Sequence, residues 1–208
     1  VGVTNINGIG IAMPGPFDYL NGISLFDGET QKYESTYGLS VSKILRNHLN
    51  LPEKTPLRFI NDATAFAIGE EWIGKAKGTN RSLSITLGTG LGSGFIQNGF
   101  PVLNSKDIPK DGYIYNLPYC GGLADDYFST RGLIKRCESR CGIKVLGVKE
   151  LSELAINNTK AKELLKEFGV EFADFLYPIL LNFRAQVLII GGNISKAFNL
   201  FGNELLSE

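Results

Sequence analysis

A glycine-dense turn joins two apolar, strand-like runs between Ile85 and Ile96. Its sequence is Ile85-Thr86-Leu87-Gly88-Thr89-Gly90-Leu91-Gly92-Ser93-Gly94-Phe95-Ile96. Glycines at alternate positions let the backbone approach a ligand closely, and the exposed N–H groups of such a turn can surround an anion. A plain strand connection with positive φ would account for only one or two of these glycines. We therefore interpret residues 88–94 as a phosphate-binding turn, although the spacing matches neither a Walker A loop nor a dinucleotide fingerprint.

The pair Asn61-Asp62 places a carboxylate at a strand-to-helix junction. It follows the apolar run Leu57-Arg58-Phe59-Ile60 and precedes a helical pattern over 62–74. Taken alone, the pair is typical of a helix N-cap. The carboxyl ends of strands are, however, where α/β folds gather ligand groups. Asp62 would then accept the proton of a substrate hydroxyl attacking phosphorus, and Asn61 would orient the substrate, the chemistry of a phosphotransferase acting on an alcohol.

Two further motifs have a structural and a functional interpretation. Gly191-Gly192 follows the apolar run 186–190, so it is either a tight connection to the next helix or a place where an adenine ring lies against the backbone. Asp125 and Asp126 come at a predicted helix start, where carboxylates interact favourably with the helix dipole. Without other context, the structural interpretation of the two aspartates is favoured.

Composition excludes several classes of protein. The 21 Lys and Arg residues balance the 21 Asp and Glu residues, which argues against nucleic acid or an anionic membrane as partner. No apolar run is long enough for a membrane helix, and no secretory signal is visible. The three cysteines predict no disulfide framework and favour the reducing cytoplasm. Because the chain starts at Val1 and soon enters an apolar strand, we expect residues before Val1 to be missing.

The predicted elements make an α/β protein with mixed sheets. Strands are predicted at 9–13, 57–60 and 186–190, with two hairpin signals after Ser82 that indicate an antiparallel meander. Helices are predicted at 41–51, 62–74, 124–140, 148–156 and 159–183, with a last one from Ile194. Apolar residues along helix 159–183 recur at three- and four-residue steps and predict a wide buried stripe: Leu165, Phe168, Phe172, Phe175, Leu176 and Ile179. The polar segment 75–80 is the best candidate hinge.

Four segments, in this order, resemble the ROK family of sugar kinases and repressors. They are Gly10-Ile11-Ala12-Met13-Pro14-Gly15-Pro16-Phe17-Asp18, Asn61-Asp62-Ala63-Thr64-Ala65 through Gly69-Glu70, Leu87-Gly88-Thr89-Gly90-Leu91-Gly92-Ser93-Gly94, and Leu188-Ile189-Ile190-Gly191-Gly192. The resemblance implies a ribonuclease H-like (actin-like ATPase) fold of two lobes. We expect a smaller lobe over 1–79, lacking its first N-terminal strands, and a larger lobe over 80–208.

The resemblance also implies the roles of individual residues. Asp62 would be the catalytic base, while the sugar would contact Asn61, Gly15 and Asp125. The ATP phosphates would bind Gly88, Thr89 and Gly90, and the adenosine would lie beside Gly191 and Gly192. Mg²⁺ is implied as a cofactor, a sugar as the partner, and a homodimer is possible because relatives are often dimers.

Two family segments are replaced or absent. The Asp-x-Gly-Gly-Thr hairpin expected near the N-terminus does not occur, and Lys110-Asp111-Gly112-Tyr113-Ile114-Tyr115 stands where the family has Glu-x-Gly-His. Of the zinc-binding cysteine cluster found in many relatives only Cys120 remains, so we expect no zinc. The sequence thus predicts an ATP-dependent hexose or N-acetylhexosamine kinase-like protein. The alternatives are a catalytically impaired sugar-binding or regulatory relative and, less consistent with the motifs, another ATPase of the superfamily.

Overall fold

The structure is a computed structural model that describes residues 7–26 and 34–207. It divides into two compact units, residues 1–65 and 66–208. The expected lobe boundary between residues 79 and 80 stays a prediction. Among the described residues, no helix combines the length and the apolarity needed to span a bilayer.

The first unit is built on a pair of parallel strands. Strand β1 (Ile9–Met13) pairs with β4 (Leu57–Asn61), from Ile9 opposite Leu57 to Met13 opposite Asn61. Between them in the chain lie a short antiparallel pair, β2 (Phe17–Asp18) and β3 (Ile23–Ser24), and helix α1 (Val41–His48). Ser40 caps α1, as predicted, because its hydroxyl accepts a hydrogen bond from the Lys43 N–H. Helix α2 (Asp62–Trp72) follows β4 directly and continues into the second unit.

The second unit contains a four-stranded mixed sheet. Strands β5 (Arg81–Leu87), β6 (Leu91–Gln97) and β7 (Phe100–Pro101) form the predicted antiparallel meander. After the small pair β8 (Pro118–Tyr119) and β9 (Gly122–Leu123), strand β10 (Val187–Gly191) returns to pair with β5 in parallel. The spatial order is β10-β5-β6-β7, so the predicted mixed α/β architecture is confirmed.

The helices of the second unit differ from the prediction in two places. The predicted helix 124–140 is two helices, α3 (Ala124–Tyr127) and α4 (Thr130–Cys141). Ser129 between them is extended, and its hydroxyl accepts a hydrogen bond from the Gly132 N–H, which makes it the N-cap of α4. The remaining helices are α5 (Val148–Asn157), α6 (Thr159–Phe183) and α7 (Gly202–Ser207). A 3₁₀ segment (Ile194–Leu200) precedes α7, where a continuous helix was predicted.

Helix α6 supplies the centre of the core. All six residues of its predicted apolar stripe are buried, which confirms that prediction. Their neighbours include Leu83, Ile85 and Leu87, the alternate residues of β5 that share one face of the sheet. Phe128, at the break between α3 and α4, is fully buried among aromatic rings whose centroids lie 4.8 to 5.8 Å away. The core therefore holds the junction of α3 and α4 against the sheet.

Candidate functional site

Polar side chains of the first unit meet at the carboxyl ends of β1 and β4. Because the strands are parallel, their last residues, Met13 and Asn61, lie side by side. The Tyr19 hydroxyl joins them, since it donates to the Met13 carbonyl at 3.1 Å and accepts from Asn61 Nδ2 at 3.3 Å. Gly15 lies beside this hydroxyl: a Cβ placed on it would be 3.5 Å from the Tyr19 oxygen. Sequence reasoning missed Tyr19, since nothing in its local pattern indicates this contact.

Asn61, rather than Asp62, supplies the side chain that caps α2. Asn61 caps α2, because its Oδ1 accepts hydrogen bonds from the Thr64 N–H at 3.1 Å and from the Thr64 hydroxyl at 3.4 Å. Asp62 is exposed, and its carboxylate accepts a hydrogen bond from the N–H of the next residue, Ala63, at 2.9 Å. The helix start therefore does not depend on the Asp62 carboxylate, which stays accessible at the end of a strand.

The glycine-rich turn of the second unit is shorter than predicted. β5 ends at Leu87 and β6 begins at Leu91, so only Gly88, Thr89 and Gly90 form the connection. Gly92 and Gly94 belong to β6, opposite Thr86 and Ser84. Neither Gly88 nor Gly90 has a left-handed φ, so the strand-connection interpretation does not explain these glycines.

The turn presents two backbone hydrogen-bond donors that no described part of the chain uses. The Gly88 N–H donates to the Gly90 carbonyl at 3.0 Å, and the Leu91 N–H donates to Asp125 Oδ1 at 2.6 Å. The N–H groups of Thr89 and Gly90 have no acceptor among the described residues. Thr89 is exposed, and a Cβ built on Gly88 would meet only the Gly90 carbonyl oxygen, at 4.0 Å. Two neighbouring donors beside an open backbone are suited to an anion such as a phosphate.

Residues of α3 and of the start of α4 bond to both ends of this turn. Thr130 donates two hydrogen bonds to the Gly88 carbonyl, one from its N–H and one from its hydroxyl, each 2.8 Å long. At the other end Asp125 accepts from Leu91 and pairs through Oδ2 with Arg131 Nη2 at 2.5 Å. Thr130 and Arg131 were missed because the predicted helix ran through them. The signal that could have found them is Ser129, a good N-cap residue inside the predicted helix.

Gly191 and Gly192 lie at the same edge of the sheet as the turn. Gly191 is the last residue of β10 and pairs with Thr86 of β5. Gly192 has a φ of +92°, and a Cβ there would lie 2.3 Å from the Leu87 carbonyl oxygen. Only glycine fits this position without strain, which accounts for Gly192 in structural terms and brings the second glycine motif beside the first.

The segment that replaces Glu-x-Gly-His lies close to Asp125. Lys110–Gly112 forms a 3₁₀ turn, and the Tyr115 carbonyl accepts a hydrogen bond from the Asp125 N–H at 3.0 Å. Burial raises the pKa of the Tyr115 hydroxyl, and the negative charges of Asp125 and Asp111 raise it further. The surroundings of Asp125 therefore include a neutral phenol that can donate a hydrogen bond.

The sequence-predicted residues thus form two groups, one in each unit. Gly15, Asn61 and Asp62 lie at the strand ends of the first unit. The other group, in the second unit, lies around the turn and the end of β10: Gly88, Thr89, Gly90, Asp125, Gly191 and Gly192. Among the residues that the structure describes, no three His, Cys, Asp or Glu side chains are gathered so as to bind a metal ion.

A model of the ROK family matches residues 3–208. The chain belongs to the ROK family. This ROK protein is 27% identical over 214 residues to an N-acetyl-D-glucosamine kinase of Pectobacterium carotovorum, a match that covers 94% of this chain and 67% of the kinase. It is 26% identical over 211 residues to the xylose repressor of Bacillus spizizenii, covering 97% of this chain and 52% of the repressor. The chain spans about two thirds of the length of the curated sugar kinases it matches.

Solved structures confirm the fold of this ROK protein. One is a ROK family glucokinase from Streptomyces griseus, determined in complex with glucose and AMPPNP, with a TM-score of 0.77 and 21% identity. The superposition covers 98% of this chain and 70% of the glucokinase chain. The actin-like ATPase fold predicted from the resemblance is therefore correct.

Proposed function

We propose that this ROK protein is an ATP-dependent carbohydrate kinase that transfers a phosphoryl group to a hydroxyl of a hexose or N-acetylhexosamine. The observation that carries the proposal is that Asn61 caps α2 and the Asp62 carboxylate remains exposed. Because Asn61 caps α2, the Asp62 carboxylate is exposed at the carboxyl end of a strand, and among the described residues only the Ala63 N–H donates a hydrogen bond to it. The relationship to sugar kinases supports a carbohydrate as the substrate class.

In the proposed reaction, Asp62 accepts the proton of the attacking sugar hydroxyl. A bond forms between this oxygen and the γ-phosphorus, the bond from the γ-phosphorus to the bridging oxygen breaks, and ADP leaves with the electron pair. Asn61 and Gly15, beside Tyr19, are proposed to orient the sugar, together with Asp125. Holding the hydroxyl in line with the phosphorus supplies a large part of the rate enhancement in such reactions.

The turn Gly88–Gly90 is proposed to bind the phosphates of ATP. The donors that fit this role are the Thr89 and Gly90 N–H groups and the exposed Thr89 hydroxyl. The adenosine is proposed to lie beside Gly191 and Gly192, at the end of β10 next to the same turn. Mg²⁺, when bound with the nucleotide, would neutralise phosphate charge, and no side chain of this chain is assigned to it. A cytoplasmic location and a homodimer are further expectations from the family.

A regulatory or sugar-binding relative is the second candidate function. It is favoured by the match to a xylose repressor and by Lys110–Tyr115 in place of Glu-x-Gly-His. The two candidates differ in whether sugar binding is accompanied by consumption of ATP.

The deciding experiment measures ADP formation with Mg²⁺ and ATP against a panel of hexoses and N-acetylhexosamines, alongside direct sugar binding by calorimetry. The kinase proposal requires sugar-dependent ADP formation by at least one member of the panel. Saturable binding of a sugar without ADP formation would refute the kinase proposal and support the regulatory candidate.

A further inference from the structure

Resting on the proposed function, we propose that Thr130 and the Asp125–Arg131 ion pair are positioning residues that hold the phosphate-binding turn Gly88–Gly90 in its binding conformation. We call these three residues the turn clamp. They act on nucleotide binding through the backbone of the turn, without a contact to the nucleotide being required.

The first contact of the clamp fixes the start of the turn. The Gly88 carbonyl accepts two hydrogen bonds from one residue, from the N–H and the hydroxyl of Thr130, both at 2.8 Å. Thr130 is itself held, because it is the first residue of α4 and follows the fully buried N-cap Ser129. A Cβ on Gly132 would lie 2.3 Å from the Asp126 carbonyl oxygen, so the start of α4 packs tightly against α3. The position of Gly88 is thus tied to a rigid helix terminus.

The second contact fixes the end of the turn. Asp125 Oδ1 accepts from the Leu91 N–H at 2.6 Å, and a Cβ on Gly90 would be 3.1 Å from the same oxygen. Arg131 Nη2 holds the other carboxylate oxygen at 2.5 Å, and the Tyr115 carbonyl accepts from the Asp125 N–H. A hydrogen bond from a backbone N–H to a charged carboxylate is stronger than one between neutral groups. Arg131, although its side chain is 63% exposed, therefore acts by fixing a less exposed carboxylate.

The clamp matters because glycine gives the turn more conformational freedom than any other residue would. With Gly88 and Leu91 fixed, the backbone between them, which carries the Thr89 and Gly90 N–H groups, has fewer conformations open to it, and within the described part of the chain these two donors have no acceptor. A nucleotide that binds a preformed turn does not have to order it, and ordering costs reduce affinity. Loss of either contact is therefore expected to weaken nucleotide binding even though the donors that touch the phosphates are unchanged.

Two kinds of variant test the clamp, each with a matched control. Thr130→Val removes the hydroxyl bond to Gly88, and Thr79→Val removes a comparable hydroxyl bond to the Ala76 carbonyl elsewhere in the unit. Arg131→Met removes the ion-pair partner of Asp125. The control is Arg140→Met, which removes another arginine of α4, one that forms an exposed ion pair with Glu167 of α6. Thr130→Ser keeps the hydroxyl and serves as the rescue.

Binding of AMPPNP is measured by calorimetry on the full chain. We expect Thr130→Val and Arg131→Met to weaken AMPPNP binding about three- to tenfold, the effect of one lost hydrogen bond. Thr130→Ser, Thr79→Val and Arg140→Met should bind as the unmodified protein does. Equal affinity of the clamp variants and their controls would overturn the proposal.

Amide hydrogen exchange without nucleotide gives a readout that does not depend on the kinase proposal. Exchange at the Leu91 N–H should accelerate in Arg131→Met and not in Arg140→Met. If the unmodified protein binds no AMPPNP but this acceleration is observed, the clamp stands and the proposed nucleotide site fails. Unchanged Leu91 exchange in Arg131→Met would overturn the clamp.

Discussion

Substitutions at the neighbouring residues Asn61 and Asp62 should differ in their effect on the free energy of unfolding. Asn61→Ala removes the cap of α2, in which Oδ1 accepts from the Thr64 N–H. Loss of such a cap costs about 1 kcal/mol, which for a chain of this size lowers the unfolding temperature by about 2–4 °C. Asp62→Asn leaves the cap in place and alters only an exposed side chain, so its free energy of unfolding should change by no more than about 0.5 kcal/mol.

Asp62→Asn is instead expected to affect catalysis. If its carboxylate accepts the proton of the sugar hydroxyl, Asp62→Asn should lower kcat by about 100- to 10,000-fold, the usual contribution of a general base. The assay is ADP formation with the best sugar of the panel, run beside thermal unfolding of both variants. Unfolding of Asp62→Asn would show that the carboxylate is structural, and retention of its kcat would show that it is not the base.

Backbone strain and thiol burial give two further predictions. Gly192→Ala should lower the free energy of unfolding by about 1–3 kcal/mol more than Gly99→Ala, because both positions have a positive φ but only at Gly192 would the Cβ overlap the Leu87 carbonyl. Urea unfolding measures both, and equal losses would contradict the overlap. Burial raises the pKa of the Cys137 thiol to about 11, so the folded protein keeps this thiol protonated at a pH where the unfolded chain already ionises it. The free energy of unfolding should therefore fall as the pH rises between about 9 and 11. Alkylation followed by mass spectrometry should label exposed Cys120 at pH 8 and spare Cys137; equal labelling would refute this.

The pattern of apolar residues along the chain predicted the helices and strands that have a clear buried face or a continuous apolar run. The six-residue stripe of α6 follows from three- to four-residue spacing, and the strands β1 and β10 follow from short apolar runs, since those patterns indicate which residues are removed from water. Helix ends were predicted less well: α2 ends at Trp72, two residues early, and α1 ends at His48. The break at Phe128-Ser129 was missed because Phe128 fits an apolar helical pattern, while its actual position depends on aromatic rings from α6.

The sequence by itself determined the α/β class, the family and the identity of the two glycine motifs, because these depend on residue type and order along the chain. Only the tertiary structure decided that Asn61 rather than Asp62 caps α2, that two of the four glycines belong to β6, and that Thr130 and Asp125 hold the turn. Thr130 lies 42 residues from Gly88 in the chain, and Asp125 lies 34 residues from Leu91. Hydrogen bonds over such separations are set by how helices pack on a sheet, which local patterns do not encode.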